Sequence, residues 1–250
     1  MDRPYKKYKT VGVVLAYNCA KELPGIYRRL PKELLDDIIL VDDASKDNTV
    51  DVARELGIKT FPHEHLGYGG NIKFGLQKAL EMGADYMVEI HGDGQYDPSS
   101  IAPALQKMEQ GCDFVLGSRF TERGRALRDK MSRARYYANI GLSFFDRLVL
   151  QLPLTEFHTG FRVYSRKLLT TIPFPAGSDD YLYSFEIIVQ ARYCNLRVEE
   201  VPVRCDYSGT HTSVSIWKST VYSFQMFYVL FLYALARIGI KTKLFRCVSR

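Results

Sequence analysis

The sequence lacks the features that define several classes of protein. Its five cysteines stand singly, with no CxxC pair, and their odd number leaves one unpaired in any disulfide scheme. This pattern argues against a zinc or disulfide scaffold and predicts a reducing compartment. The basic N-terminus is not followed by a long apolar segment with a small-residue cleavage site, so we predict no signal peptide and expect the cytosolic side.

Two common nucleotide-binding fingerprints are also missing, because the chain has neither a GxGxxG after its first strand nor a Walker A sequence. The net charge of +6 over 250 residues is moderate. It permits contact with a phosphate-rich partner or an anionic membrane without requiring one. An arginine-rich segment at residues 119–135 lacks the interleaved aromatic side chains of a nucleic-acid site, so no nucleic-acid partner is predicted.

The composition is that of an ordinary globular protein, since 46% of the residues are apolar and 13% aromatic, which excludes global disorder. Short apolar runs at residues 11–16, 38–41, 58–61 and 86–90 predict buried strands. Helical patterns at residues 21–30, 49–56 and 71–82 alternate with them. We therefore predict an α/β fold with a mostly parallel sheet flanked by helices. Further strands are predicted at 113–119 and, as an edge strand, at 198–205, with helices at 100–110, 136–150 and 183–193.

Polar residues follow the predicted strands at the edge where such sheets bind ligands. Asp93 and Gln95 are alternate residues after a buried strand, and the glycines between them leave room for a diphosphate. Hard divalent cations bind carboxylate oxygens together with substrate phosphates, so the segment predicts a metal site. A turn that caps the next helix is the alternative. The pair Asp42 and Asp43 is either a solvated turn or a nucleotide contact. The glycines at 67, 69 and 70 either admit a phosphate or form a tight turn.

The arginine-rich segment suits a phosphorylated acceptor, because arginine makes planar, bidentate contacts with phosphate. A solvated surface is the alternative. Glu156 and Glu186 are candidate general bases, and each has a surface role as its alternative. His158 and His211 are candidate ligands or bases, with an ordinary structural role as the alternative.

Taken in order, these pieces resemble the inverting family 2 glycosyltransferases of GT-A fold, and within them the dolichol-phosphate and other polyprenyl-phosphate sugar synthases. The resemblance covers about residues 11–207. The motifs that carry it are LAYN at 15–18, VDDASKDNT at 41–49, GYGGN at 67–71, GSRF at 117–120 and TGFR at 159–162. The family has a proline where Leu15 stands and commonly a lysine where Tyr68 stands.

The resemblance implies a role for each matching residue. Mg²⁺ or Mn²⁺ would be held by Asp93, Gln95 and His91, although the family usually has an aspartate at the last of these. Glu156 stands where the family often has an aspartate, and the catalytic residues would be Asp93, Arg119 and Glu156. The acceptor phosphate would contact Arg119, Arg133 and Arg162. The nucleotide-sugar would contact Ala16, Tyr17, Asn18, Asp43, Gly70, Asn71 and Asp93.

The chemistry divides according to the acceptor. A polyprenyl phosphate is already an anion near neutral pH and needs no strong base, whereas a sugar hydroxyl needs a carboxylate such as Glu156. The leading prediction is transfer from a UDP- or GDP-sugar to polyprenyl or dolichyl phosphate at the cytosolic face of a membrane. The alternatives are transfer to a glycan hydroxyl and a non-catalytic nucleotide-sugar-binding module in which His91 marks lost chemistry. Whether the protein forms an oligomer is left open.

The C-terminal region differs from the rest. We predict a catalytic domain at residues 1–213 and a membrane-associating region at 214–250. Residues 219–236 contain no charged side chain, include three tyrosines suited to a membrane interface, and precede a basic tail. This predicts an interfacial helix, with a single span or a buried structural helix as alternatives.

Overall fold

The computed structural model describes residues 8–207 and 216–248, and within them one mixed sheet of seven strands. Its order is β3-β2-β1-β4-β6-β5-β7, and β6 alone runs antiparallel to its two neighbours. The mostly parallel sheet is therefore confirmed, with β7 at an edge as predicted. The strands are β1 Thr10–Ala16, β2 Asp37–Asp43, β3 Lys59–His63, β4 Tyr86–His91, β5 Phe114–Ser118, β6 Arg162–Ser165 and β7 Val198–Pro202.

Helices cover both faces of this sheet. Gly57 and Gly83 end two of them with φ values of 73° and 82°, as their positions in the sequence predict. One prediction is wrong, because the third helix begins at Gly67 and not at Asn71, so the glycines form its first turn. The helices are α1 Leu23–Arg29, α2 Thr49–Glu55, α3 Gly67–Glu81, α4 Ile101–Glu109, α5 Arg125–Arg128, α6 Arg133–Leu150, α7 Arg166–Thr171, α8 Tyr183–Tyr193 and α9 Ile216–Arg237.

The core lies in two layers, one on each face of the sheet. Along β1, Val11, Val13 and Leu15 point into the layer beneath α3, α8 and α9, while Val14 and Ala16 point into the layer beneath α1 and α4. A strand buried on both faces explains why the first strand is a continuous apolar run with no polar alternation.

The C-terminal helix α9 has two different faces. Met226, Val229 and Leu230 are buried in the same core layer as α8, whereas Phe224 and Phe231 on the other side are exposed. Residues Ser219–Arg237 are long and apolar enough to cross a membrane. The predicted boundary between residues 213 and 214, and His211, lie outside the described residues.

The prediction that the cysteines form no disulfide is wrong for one pair. Cys194, which follows α8, is bonded to Cys247 in the C-terminal segment, with an S–S distance of 2.07 Å. The two are 53 residues apart in the sequence, and no spacing motif links them. Cys19, Cys112 and Cys205 are free and buried. The cysteines therefore no longer argue for a reducing compartment.

Candidate active site

The carboxyl ends of β1, β2 and β4 lie side by side, with Ala16 opposite Asp42 and Leu15 opposite His91. Just beyond Ala16, the Asn18 N–H donates to Ser45 Oγ at 2.8 Å, and Asn18 Oδ1 accepts from the Lys46 N–H at 2.7 Å. These two bonds clamp the loop after β1 to the loop after β2.

Tyr17, within this clamp, is half exposed, and its ring centroid lies 5.5 Å from that of His65. The clamp therefore presents an aromatic face at the edge of the sheet, where a flat heterocycle would find a stacking surface.

Asp43 is buried and acts as a cap for α3. Its two oxygens accept from the N–H groups of Leu66 at 2.6 Å and Gly67 at 3.2 Å. His65 Nδ1 also lies 2.9 Å from the carboxylate. A carboxylate at a helix N-terminus satisfies amides that have no partner within the helix and favours the helix dipole. Asp43 thus fixes the start of α3 beside the predicted nucleotide site.

The glycines at the start of α3 make room for another segment of the chain. The N–H groups of Gly69 and Gly70 both donate to the carbonyl oxygen of Asp179, at 2.9 and 3.3 Å. A Cβ on Gly69 would lie 2.5 Å from the Ser178 carbonyl oxygen. These glycines therefore allow the 178–180 loop to pack against α3, a role that was not predicted from the sequence.

Asn71, one residue further along α3, is buried beside the carboxyl ends of β1, β2 and β4, which together form the nucleotide edge of the sheet. Its Oδ1 lies 3.0 Å from His63 Nε2, and its amide nitrogen donates to the Ala16 carbonyl at 3.5 Å. It joins α3 to the ends of β1 and β3.

His91 points along the α3–α8 face of the sheet and not beyond its edge. Its Nε2 lies 3.0 Å from Glu89 Oε1 and 2.9 Å from the Gly160 carbonyl oxygen. Burial disfavours the charged imidazole, but the hydrogen bond and negative charge of Glu89 outweigh it and raise the pKa of His91. A nitrogen that faces a carboxylate and a carbonyl acts as a donor, so Nε2 is not placed as a metal ligand.

Asp93 and Gln95 lie in the turn beyond β4, where Gly94 adopts a φ of 68°. Asp93 Oδ1 accepts from the Gln95 N–H at 3.0 Å. Within the described part of the chain, Asp93 Oδ2 and the Gln95 side-chain amide make no hydrogen bond. Two oxygen donors fit a Mg²⁺ or Mn²⁺ ion that completes its shell with substrate phosphates. Across residues 8–207 and 216–248, no group of three or more His, Cys, Asp or Glu side chains is placed to hold a metal.

Arg119 and Glu156 form a buried ion pair. Arg119 Nε donates to Glu156 Oε1 at 2.8 Å, its second guanidinium nitrogen contacts the same oxygen, and its backbone N–H donates to Oε2 at 2.7 Å. A third guanidinium nitrogen donates to the Tyr207 hydroxyl at 2.7 Å. Burial opposes the charge, yet Glu156 holds the pKa of Arg119 well above its ordinary value. Both oxygens of Glu156 are therefore committed to Arg119.

The three arginines predicted to share an acceptor phosphate lie in different environments. Arg119 is buried in its ion pair, and Arg133 is exposed at the first position of α6. Arg162 is fully buried at the start of β6, and its guanidinium makes no hydrogen bond to any of the described residues. The structure does not bring Arg162 to a surface that a phosphate reaches, because the strand directs it toward Glu89 and Tyr164 on the covered face of the sheet.

An open cleft of about 300 Å³ lies beside the turn that carries Gln95. Its walls carry four cations and three carboxylates, namely Arg29, Arg128, Lys130 and Arg204 with Asp97, Asp129 and Asp206. The cleft therefore brings cations of the arginine-rich segment next to the predicted metal turn, as a phosphorylated acceptor would require.

A buried polar cluster that was not predicted lies on the α3–α8 face of the sheet. Glu89 lies in the middle of β4 and accepts a hydrogen bond from the Tyr164 hydroxyl. Tyr68, whose hydroxyl is 3.4 Å from Glu89, stacks on Tyr181 with ring centroids 4.7 Å apart. A glutamate within an otherwise apolar strand is the signal that points to such a cluster, because an unpaired buried carboxylate is costly.

A twisted, mostly parallel sheet with a polar carboxyl edge and a metal-suited turn is the GT-A architecture of nucleotide-sugar-dependent glycosyltransferases. The chain belongs to glycosyl transferase family 2, whose model matches residues 13–172. It is a glycosyltransferase.

Two relatives match most of the chain. The chain is 28% identical over 245 residues to the UDP-N-acetylglucosamine–dolichyl-phosphate N-acetylglucosaminyltransferase of Methanococcus voltae, covering 90% of this chain and 96% of that protein. It is 30% identical over 204 residues to the undecaprenyl-phosphate mannosyltransferase of Micrococcus luteus, covering 78% and 82%. Glucosyl-3-phosphoglycerate synthase from Mycobacterium tuberculosis, solved with Mn²⁺ and UDP-glucose, superposes with a TM-score of 0.67 at 18% identity, covering 94% of this chain and 81% of that one. At that identity the likeness shows the fold.

Proposed function

We propose that the protein transfers a sugar from a UDP- or GDP-sugar to a polyprenyl or dolichyl phosphate, with inversion at the sugar carbon and with Mg²⁺ or Mn²⁺. The two relatives named above act on dolichyl and undecaprenyl phosphates, and they match most of the chain. The bound UDP-glucose and Mn²⁺ of the solved neighbour support a nucleotide-sugar donor and a divalent cation.

The observation that carries the choice of acceptor is the state of Glu156. Both of its oxygens accept hydrogen bonds from Arg119, so the carboxylate is not poised to remove a proton from an incoming hydroxyl. A phosphate acceptor already carries its negative charge and needs no such base. The ion pair is instead suited to hold Arg119 and the loop at residues 156–160 in place.

Several of the predicted site residues take a place in this reaction. Tyr17 stacks on the nucleobase, while Asn18, Asp43 and Asn71 fix the surrounding loops. Asp93 and Gln95 hold the cation, which when bound supplies positive charge that stabilises the diphosphate leaving group. Arg128 and Lys130 in the cleft, with Arg133 beyond it, draw the acceptor phosphate toward the sugar carbon from the side opposite the leaving group.

The acceptor is a lipid, so we propose that the enzyme works at a membrane surface, on the cytoplasmic face. The C-terminal segment supports this, because residues 214–250 contain six lysines and arginines and no acidic residue. Anionic lipids of the cytoplasmic leaflet attract such segments by about 1 kcal/mol for each basic residue near the surface.

The test is a transfer assay with purified full-length protein, a panel of radiolabelled UDP- and GDP-sugars, and either a polyprenyl phosphate or a glycan acceptor. We expect label that partitions into organic solvent, requires the lipid phosphate, and disappears with EDTA and returns with Mg²⁺ or Mn²⁺. Label found in a water-soluble glycan would identify a hydroxyl acceptor instead. Donor binding without transfer to either acceptor would indicate a binding module.

A further inference from the structure

The helix α6 buries two polar side chains together with Tyr136 and Leu150, and leaves most of its other large apolar side chains exposed. Ser143 and Asp146 are fully buried on the side that faces the domain. Tyr137, Phe144 and Leu148, spaced i, i+7 and i+11, lie on the outer side and are 66%, 57% and 65% exposed. This is the reverse of the pattern expected for a helix on a water-soluble surface.

Buried polar contacts fix this orientation. Asp146 Oδ2 on α6 lies 3.1 Å from His158 Nε2, an ion-pair distance without hydrogen-bond geometry, and His158 Nδ1 lies 3.0 Å from the Tyr222 hydroxyl on α9. Rotating α6 to bury its outer aromatic side chains would separate Asp146 from His158 and turn the exposed Arg147 toward the core. The outward apolar side is therefore part of the folded arrangement, since burying a charged side chain without a partner is costly.

The exposed side of α6 continues into α9. The rings of Phe145 and Phe227 join the two helices, with centroids 5.9 Å apart. On α9, Phe224 and Tyr228 are 73% and 61% exposed. Apart from three that border the nucleotide edge, every exposed large apolar side chain of the described residues lies on α6, on α9 or in the segment after α9. These side chains are Tyr137, Ile140, Phe144, Phe145, Leu148, Val149, Val221, Phe224, Phe227, Tyr228, Phe231, Ile238, Ile240 and Val248.

The exposed charges that α6, α9 and the segment after α9 themselves carry are all positive. Residues 133–150 contain a single acidic residue, Asp146, which is buried, and three arginines. Arg133 and Arg147 are exposed. After α9 come Lys241 and Lys243, and residues 214–250 carry no acidic residue. An apolar surface whose own helices expose only positive charges is complementary to a bilayer with anionic headgroups.

We propose that α6 and α9 together form one lipid-docking surface, the α6–α9 face, which lies in the plane of an anionic bilayer. The inference takes its purpose from the proposed function, because a lipid acceptor must be met at the membrane. Arg133 begins α6, so docking this face brings the arginine-rich segment to the headgroup layer.

The face lies in the plane of the bilayer and does not span it. Met226, Val229 and Leu230 of α9 are packed in the core with α8, and a spanning helix would lose those contacts. The occupant is a lipid surface because the apolar area is bordered by positive charge. A second copy would bring a second set of cations against the first.

The test measures binding of the purified full-length protein to sedimented vesicles of phosphatidylcholine with and without phosphatidylglycerol, in the absence of donor and acceptor. The variant is F144S/L148S, which changes two exposed side chains one turn apart. We expect roughly a tenfold or greater loss of vesicle partitioning, since each apolar side chain removed from the lipid forfeits a favourable transfer free energy. The matched control is A102S/Q106S, a serine pair at exposed positions of the same spacing on α4, which packs on the opposite face of the sheet. It should bind like the wild type.

Three further measurements decide the outcome. Circular dichroism spectra should match for all the proteins. Alkaline washing should release the wild type from vesicles. Retention of the wild type after this wash would indicate a spanning helix and overturn in-plane docking. Wild-type vesicle binding by F144S/L148S would also overturn it. A self-association that F144S/L148S abolishes while vesicle binding persists would assign the face to a second copy. Normal vesicle binding without transfer to any acceptor would reject the proposed function alone and leave the lipid-docking face standing.

Discussion

The nucleotide edge of the sheet and the α6–α9 face treat polar side chains in opposite ways. At the edge, Asn18, Asp43 and Asn71 make hydrogen bonds to the backbone of neighbouring segments. On α6, the polar side chains Ser143 and Asp146 are turned into the domain, whereas the aromatic side chains of Tyr137, Phe144 and Phe145 face outward. The first arrangement fixes loops around a water-borne polar ligand, whereas the second exposes apolar area that water alone would not favour.

The difference shows that burial has to be interpreted against the medium that each surface meets. A half-exposed tyrosine at the edge, Tyr17, is a single aromatic side chain within a polar surface and suits a bound nucleobase. A row of exposed aromatic side chains on two adjacent helices suits a lipid surface. We therefore propose that the same residue type serves two different functions in one molecule.

The largest expected effect tests the chemistry of the edge. Asp93→Asn removes the carboxylate proposed to hold the cation but keeps the size of the side chain. We expect a loss of turnover of at least about a hundredfold, because a lost metal ligand costs several kcal/mol of transition-state stabilisation. Turnover at saturating donor and the Mg²⁺ or Mn²⁺ concentration dependence should be measured together.

The matched control for Asp93 lies in the same turn. Asp97 lines the open cleft beside this turn, but its carboxylate accepts from the Ser99 N–H at 3.0 Å and caps a short helix. Asp97→Asn should keep most of the activity. Equal losses in the two variants would assign the effect to the turn as a whole and remove Asp93 from the metal site, and vesicle binding should be unchanged in both.

A second prediction compares a buried ion pair with an exposed one. Glu156→Gln leaves the buried Arg119 without its counter-charge and should lower the free energy of unfolding by about 3–5 kcal/mol. Glu122, which is exposed and 2.8 Å from Arg125, is the matched control, and Glu122→Gln should cost less than about 1 kcal/mol. Urea unfolding followed by circular dichroism measures both. Similar values would show that the Arg119 pair is already solvated.

Much of the fold and part of the site follow from the sequence. The continuous apolar runs predict β1, β2 and β4 because strands covered on both faces need no polar alternation, and Gly57 and Gly83 mark helix ends because both adopt positive φ. The antiparallel β6 has only four residues, TGFR contributes just its last residue to it, and no local pattern gives its direction.

The remaining features depend on contacts between distant segments. Arg162 on β6 and His91 on β4 both lie on the face of the sheet that α3 and α8 cover. The pattern of a strand does not state which helices cover each face, so the sequence alone does not predict that these side chains are covered. The Cys194–Cys247 disulfide and the seat of the 178–180 loop on α3 likewise join residues far apart in the sequence. The outward face of α6 could be predicted only by assuming that its medium is lipid, because a helical pattern does not state which side is buried.

The smallest effect concerns the glycines beneath the nucleotide edge. An alanine at Gly69 would place its Cβ 2.8 Å from the Asp180 carbonyl oxygen and 2.8 Å from Tyr183 Cβ. Because these neighbours are backbone or closely packed, Gly69→Ala should lower the free energy of unfolding by about 1–3 kcal/mol. Gly25 in α1 has nothing within 4 Å of its Cβ position, so Gly25→Ala should be neutral or stabilise by up to about 1 kcal/mol through helix propensity. Urea unfolding measures both variants. If Gly69→Ala behaves like Gly25→Ala, the 178–180 loop is not held against α3. The nucleotide edge would then be less fixed by its own contacts, and its contrast with the α6–α9 face would be weaker.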